Sequence, residues 1–449
     1  MSMAPWCGRS AGVLLHLTSL PAGRPGGDAL RFAECMSAAG LSVWQILPSG
    51  PSATARNPFA AASAFAGEPA FVTGAEPFDH AAYARFRDEH ADWLEDWALF
   101  AALKRSHGGA PWWHWPLPLR RRDAAALARA EVELAGEIEQ ARITQFRFDF
   151  SWSALHRELK ALGILLFGDV PLFVARDSAD VWAHRELFEA DADGRLESVV
   201  GVPPDAFSET GQLWGLPPYR WDAIAASGYT WWKRRFELQA RRHDLLRLDH
   251  FRAFAAWWRI PPDAPTAAAG AWVPGPGRAP IDALAPVLGS VRLVAEDLGV
   301  ITEDVVALRR ALGLPGMRVL QFAFDRNPEN PHLPRFHGPD TVCYTGTHDN
   351  DTTLGWWRAL STEQQSEVAR VLGTEAPEMP CALVDLAWSS PAPLAIVPMQ
   401  DLLGLDTTAR MNRPGIEDGN WRWSFRWDQV PDDFAAALRE ALDRHGRLS

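Results

Sequence analysis

Cysteine is scarce in this 449-residue chain, and Cys7, Cys35, Cys343 and Cys381 lie far apart with no Cys-x-x-Cys pair. That spacing excludes zinc-ribbon and dithiol motifs, and a chain of this length needs no disulfide framework. Positive charge is also short. Lys and Arg number 44 against 56 Asp and Glu, and the formal net charge of −12 excludes the basic face that nucleic acids or anionic membranes require. No apolar run approaches the roughly 18 residues that cross a bilayer. The short stretch 11–20 contains His16 and lacks both a strongly basic start and a small-residue cleavage site. A cytoplasmic chain with no nucleic-acid or membrane partner is expected.

What is present is a large apolar fraction, 47% hydrophobic residues, enough for a sizeable core. Runs rich in β-branched residues recur at 13–20, 43–48, 164–174, 245–251, 293–298, 317–324, 341–346 and 395–399. Most are continuous rather than alternating, as strands buried on both faces should be. Helical patterns lie between them. One covers 28–39, one runs from Ser151 as a cap to Gly163 as a stop, and one covers 302–312. Another opens at Ser361, with Gln364 three residues on as a capping box.

Eight strands with intervening helices predict an α/β fold, a (β/α)₈ TIM barrel forming one catalytic domain over 1–449. Two stretches break the repeat. Residues 78–147 are helical, charged and rich in Trp, an insertion after the second strand. Residues 175–243 carry Gly, Pro and Trp in quantity, an insertion between strands 3 and 4 that should border the active site. The segment 261–280 reads as a Pro/Gly/Ala-rich surface loop.

Three acids stand at the ends of different strands. The fourth reads Arg247-Leu248-Asp249-His250-Phe251, the fifth Ala295-Glu296-Asp297-Leu298, and the seventh leads into Thr347-His348-Asp349-Asn350. Barrel enzymes work at that face. Period-two alternation puts Arg247 and Asp249 on one side of their strand, and a guanidinium beside a carboxylate favours its charged form. One ionised and one protonated carboxyl flanking a sugar bond supply retaining glycoside chemistry. Trp, at 22 residues against four Tyr, offers flat apolar area suited to sugar faces as well as to cores.

These residues bring the chain close to a known family. It resembles the amylomaltases, the disproportionating 4-α-glucanotransferases of glycoside hydrolase family 77 in the α-amylase clan. The likeness runs from Leu17-Thr18-Ser19-Leu20-Pro21 to Asn420-Trp421-Arg422-Trp423. It includes Gly168-Asp169-Val170-Pro171, Asp177-Ser178-Ala179-Asp180-Val181-Trp182 and Gly201-Val202-Pro203-Pro204-Asp205. Gly211-Gln212-Leu213-Trp214-Gly215 and Arg410-Met411-Asn412 add to these.

The resemblance implies a retaining transferase that moves α-1,4-glucan segments between malto-oligosaccharides. Asp249 would be the nucleophile that forms a glucosyl-enzyme, and Glu296 the general acid and then base. Asp349 would bind sugar hydroxyls and help distort the ring. Arg247 and His348 would support the site, with Asp169, Gln212, Trp214, Asp297, Asp325 and Asn412 as glucan contacts. The resemblance implies no metal, no cofactor and no separate C-terminal β-sandwich. An α-glucan hydrolase with the same carboxylates, or a glucan-binding protein that has lost turnover, remain the alternatives.

The chain also departs from the family's pattern. The Ser-Pro-Tyr-Gln-Ser loop reads Asn57-Pro58-Phe59-Ala60-Ala61, and the preceding Gly-Tyr-Gly-Asp reads Ala53-Thr54-Ala55-Arg56. Leu216 replaces Asn, Ala253 replaces Gly and Ile416 replaces Thr. Phe59 and Ala60 are expected to offer only apolar surface to the glucan, which should weaken or alter acceptor choice.

Overall fold

The computed structural model describes residues 8–54, 56–74, 76, 78–204, 208–416 and 418–448; Cys7, Ala55 and Asp205 lie outside them. The eight apolar runs each yield one short strand. They are Ser10–Leu14 (β1), Val43–Gln45 (β2), Leu165–Val170 (β3) and Leu245–Leu248 (β4), then Arg292–Ala295 (β5), Gly316–Val319 (β6), Thr341–Tyr344 (β7) and Leu394–Pro398 (β8). All neighbours pair in parallel, and β1 closes the barrel by pairing with both β2 and β8. Closure is tight at Gly12, where an added Cβ would lie 2.5 Å from Ile396 Cδ1 and 2.6 Å from the Val43 carbonyl oxygen. Only glycine fits there.

The barrel interior is packed rather than hollow. Leu14, Val43, Phe167, Leu245, Val294, Met317, Val342 and Ile396 form one buried cluster inside it. The Tyr344 hydroxyl donates to Gln45 Oε1 at 2.9 Å, so the apolar filling gives way to a polar layer.

Strand boundaries moved where burial and hydrogen bonding part company. The first run was expected at 13–20, but the ladder ends at Leu14, and Leu17 and Ser19 beyond it are buried in a 3₁₀ turn, Leu17–Ser19, that exposes Thr18. Helix Gly27–Ala39 stops at Gly40 in the left-handed conformation, and the capping box of Ser361 and Gln364 is formed. Ser151 caps nothing. It lies inside the 27-residue helix Ala135–Ala161, whose buried Phe148, Trp152, Leu155 and Leu159 continue one apolar stripe past it. That helix packs on His80–Ser106, so the helical stretch between β2 and β3 runs without a break into the helix that precedes β3.

A second sheet was not expected. Strands Val199–Val202 and Gln212–Leu216 pair antiparallel, and Ala256–Ile260 and Ala271–Pro274 extend them in the order 212–216, 199–202, 256–260, 271–274. The stretch 261–280 is therefore not all surface loop. Among the described residues, no helix is long and apolar enough to cross a membrane.

Candidate active site

The site begins with register. Asp169 of β3 and Arg247 of β4 are direct partners in the parallel ladder, so alternation sends both side chains inward. Arg247 Nη1 lies 2.9 and 2.8 Å from the two oxygens of Asp169 and 2.9 Å from Asp249 Oδ1. Asp249 is the first residue past β4 and Glu296 the first past β5. Burial works against the Arg247 charge, but the carboxylates of Asp169, Asp249 and Glu296 outweigh it and hold the guanidinium above its ordinary range.

Glu296 is held by main chain. Its Oε2 accepts from the His250 N–H and its Oε1 from the Leu298 N–H, both at 2.8 Å. Burial pushes its carboxyl up to about 7; Arg247 and the two N–H donors oppose this and the Asp249 charge adds to it. Burial raises Asp169 as well, against the pull of Arg247. One guanidinium faces three carboxyl groups, so the cluster retains a proton near neutrality. Both Asp169 oxygens lie against Arg247, whereas the hydrogen bonds to Glu296 come from peptide N–H groups.

The β7–β8 side is built from loops. Asp349 Oδ1 accepts from Asn412 Nδ2 at 2.6 Å, and His348 Nε2 is 3.4 Å from the same oxygen. The Asn412 N–H donates to the His348 carbonyl, and Arg410 donates from Nη2 to the Asp349 carbonyl and from Nε to the Asn412 carbonyl. Burial pushes His348 below the usual imidazole range, so its ring is neutral at working pH. Phe59 stacks on that ring at 4.8 Å and 17°, and its centroid is 6.0 Å from Arg247 Cζ.

The remaining expected contacts divide. Trp214 stands edge-on to His250 at 4.8 Å and donates its indole N–H to Gln212 Oε1, so the second sheet brings both to the Asp249–Glu296 side. Asp325 is exposed on the loop after β6, where it accepts from the Asn327 N–H. Asp297 as a glucan contact needs correction. Its carboxylate accepts from the Met317 N–H at 2.7 Å and meets Arg309 and Arg318 at 3.2 and 3.3 Å, with only 3% of its side chain exposed. Successive residues on an extended chain point to opposite sides, so Glu296 inward means Asp297 outward.

Of the departures, Ala60 is buried rather than exposed to the cleft, Ala253 is buried in the 3₁₀ turn Phe251–Phe254, and Ile416 is exposed. Reading the sequence missed Arg410 and His250 as members of this site. Arg410 was visible only as part of a motif, and His250 only as the residue after Asp249. Among the described residues, no group of three or more His, Cys, Asp or Glu side chains is placed to hold a metal ion.

Comparison with known proteins bears on what this cleft does. The family model described as 4-alpha-glucanotransferase, glycoside hydrolase family 77, matches residues 73–429. A 4-alpha-glucanotransferase of Thermus thermophilus is 44% identical, over 98% of this chain and 99% of that relative. A chloroplastic/amyloplastic 4-alpha-glucanotransferase of Solanum tuberosum is 39% identical over 98% of this chain and 87% of its own length. Among solved structures, the amylomaltase of Streptococcus agalactiae in complex with acarbose superimposes with a TM-score of 0.92 at 30% identity. That match covers 98% of this chain and 99% of that one.

Proposed function

This chain belongs to the 4-alpha-glucanotransferases of glycoside hydrolase family 77, and we propose that Asp249, Glu296 and Asp349 carry its reaction by a retaining, two-step route. Asp249 attacks the anomeric carbon of an α-1,4-linked glucosyl unit. Glu296 gives its proton to the departing glycosidic oxygen, so the bond breaks without an alkoxide. The 4-hydroxyl of an acceptor chain then attacks the glucosyl–Asp249 ester while Glu296 takes the hydroxyl proton back. Two inversions leave the α configuration.

Asp349, held by Asn412, grips hydroxyls of the reacting sugar, and neutral His348 donates beside it. Asp169, expected as a glucan contact, has a fully buried side chain with both oxygens on Arg247 and is assigned instead as a positioning residue, acting on Asp249 through Arg247. Gln212, Trp214 and the exposed Asp325 are assigned to the glucan path. Malto-oligosaccharides and longer α-1,4-glucans are the substrates, and the chain works in the cytoplasm without a cofactor. We assign 78–147 and 175–243 as insertions into a single catalytic barrel.

One observation carries this reading. Arg247 pairs with Asp249, while desolvation pushes the nearby, half-buried Glu296 up to about 7. A nucleophile and a proton donor need those opposite environments. Pure maltotriose provides the test. Transfer yields glucose and chains longer than maltotriose, with no net gain in reducing ends. Products no longer than the substrate, with reducing ends accumulating, would show a hydrolase; no turnover would leave a binding protein.

A further inference from the structure

His250, the residue after the nucleophile, has a backbone that a side-chain-bearing residue rarely adopts, φ 51° and ψ 45°, in the left-handed region. That turn has a geometric consequence. It brings the next N–H round to the side that the His250 N–H already faces: His250 N–H donates to Glu296 Oε2 at 2.8 Å, and Phe251 N–H donates to the Glu296 carbonyl at 3.2 Å. The same pair of residues thus holds both the side chain and the main chain of Glu296. The first N–H is placed by the peptide that leaves β4; an ordinary right-handed or extended backbone at His250 would send the second, that of Phe251, elsewhere.

The ring supports the turn. His250 is 8% exposed, and its Nε2 is sealed from solvent with no hydrogen-bond partner. Trp214 stands against it at 4.8 Å and 82°, and Phe173 lies at 6.4 Å. An unpaired buried nitrogen is unfavourable. Its position is explained if the ring serves to wedge the turn between Phe173, on the chain after β3, and Trp214 of the strand Gln212–Leu216 rather than to bond anything. Burial, with Arg252 and Arg247 adding to it, pushes the imidazole down to about 3, so the wedge is uncharged at working pH.

We propose that His250 is the positioning residue for the general acid. Its left-handed turn aims the Phe251 N–H at the Glu296 carbonyl and so holds the acid's backbone where Oε2 meets the His250 N–H, and Trp214 locks that turn from the glucan side. This rests on the assignment of Glu296 as acid and base. The charged groups that face Glu296 are Asp169 from β3, Arg247 and Asp249 from β4, and Arg252 from the turn that follows. The His250 N–H is the neutral member of that shell, and it favours the ionised carboxyl.

The test compares substitutions by backbone tolerance. Asn and Gly accept left-handed φ; a β-branched residue does not. His250→Val should release the Phe251 N–H from the Glu296 carbonyl and let Glu296 draw away from the His250 N–H. The alkaline limb of kcat/KM for maltotriose should then move upward by about half a pH unit or more, and kcat/KM should fall at least about tenfold. Maltosyl fluoride has a leaving group that needs little protonation, so on this donor the loss of kcat/KM should shrink to within about threefold. His250→Asn and His250→Gly should keep the limb within about 0.3 unit of wild type, and lose rate only through the missing ring. Should the Val protein melt early, His250→Ala shows the same signature at smaller amplitude.

The proposal is overturned if Val and Ala leave the alkaline limb in place, or if their deficit is equal on both donors. A Glu296→Gln control separates the two assignments. If it processes maltotriose as wild type does, the acid itself is misassigned; if it fails on maltotriose while cleaving the fluoride, the His250 arms decide.

Discussion

On the β3–β5 side of the cleft, Asp169 and Arg247 sit within strands and Asp249 and Glu296 one residue beyond them, tied to one another and to peptide N–H groups. On the β7–β8 side, Asp349 stands five residues past β7, with 46% of its side chain exposed, and its partners Asn412 and Arg410 come from the chain after β8. The contrast fits the division of work proposed above for the two sides. Groups that make and break bonds must be held to a fraction of an ångström and in a set protonation state, which ladder register and burial provide. A group that grips hydroxyls must be open until the sugar arrives. The two sides should therefore fail differently when altered.

The largest failure is expected on the strand side. Asp249→Ala and Glu296→Gln should each lower kcat for maltotriose by at least ~10³-fold, with thermal unfolding close to wild type because neither change opens the core. Near-normal turnover in either variant would remove the distinction between the halves. Next in size is a change on the same side that should spare the chemistry. Asp297→Asn leaves Arg309 and Arg318 facing a neutral amide in a buried setting, a loss of roughly 3 kcal/mol. A clearly lowered Tm with kcat/KM within about threefold of wild type is expected; the reverse pattern would return Asp297 to the glucan path.

The strand side also sets the pH response. Glu296 must be protonated to act as acid, and burial raises it to about 7. Activity should hold below that value and fall as pH rises through it, by about tenfold per unit beyond. A log kcat/KM profile flat from pH 6 to 9 would contradict the burial argument. The loop side should respond more gently. Asn412→Ala removes one charge-assisted bond to a half-exposed carboxylate, worth about 1–2 kcal/mol, or roughly 5- to 30-fold in kcat/KM. If its effect equals that of Asp249→Ala, the loop side is no less rigid than the strands.

The same contrast governs what could be read in advance. Parallel strands buried on both faces leave continuous apolar runs, and an acid ending such a run is conspicuous, so Asp249 and Glu296 were legible from one sequence. Asp349 was read as a third strand-end acid, although it stands on a loop five residues past β7. The four-stranded second sheet was not legible, because Val199–Val202 and Ala271–Pro274 are short and carry Gly, Ala and Pro, and the pairing of Val199–Val202 with Ala256–Ile260 that joins the two hairpins spans a long stretch of chain. Asp297 was misplaced although the rule that excludes it was in hand. It is adjacent to Glu296, and alternation sends adjacent residues to opposite sides of a strand. The left-handed turn at His250 left no mark, since nothing in a lone His announces a positive φ.

The smallest expected effect lies where the two halves meet, at Phe59. Its ring covers His348 of the loop side and faces Arg247 of the strand side, so it closes the floor between them. A Tyr there would add one hydroxyl near both groups at almost no cost in volume. A hydrogen bond from that hydroxyl to a bound sugar is worth ~0.5–1.5 kcal/mol, or roughly 2- to 12-fold in affinity. Phe59→Tyr should therefore leave donor cleavage near wild type while shifting the order of preference among glucose, maltose and longer acceptors, with less hydrolysis as acceptors bind better. Ala60 makes the control. It is 8% exposed and pinned between Asn57 and Ala53 by main-chain bonds, so Ala60→Gln forces bulk into a packed loop and should lower Tm rather than add a sugar contact. Acceptor competition assays and a melting curve on the two single variants separate these outcomes. If Phe59→Tyr keeps both the acceptor ranking and the transfer-to-hydrolysis ratio within twofold, the missing hydroxyl is not what sets acceptor choice, and the junction of the two halves is only packing.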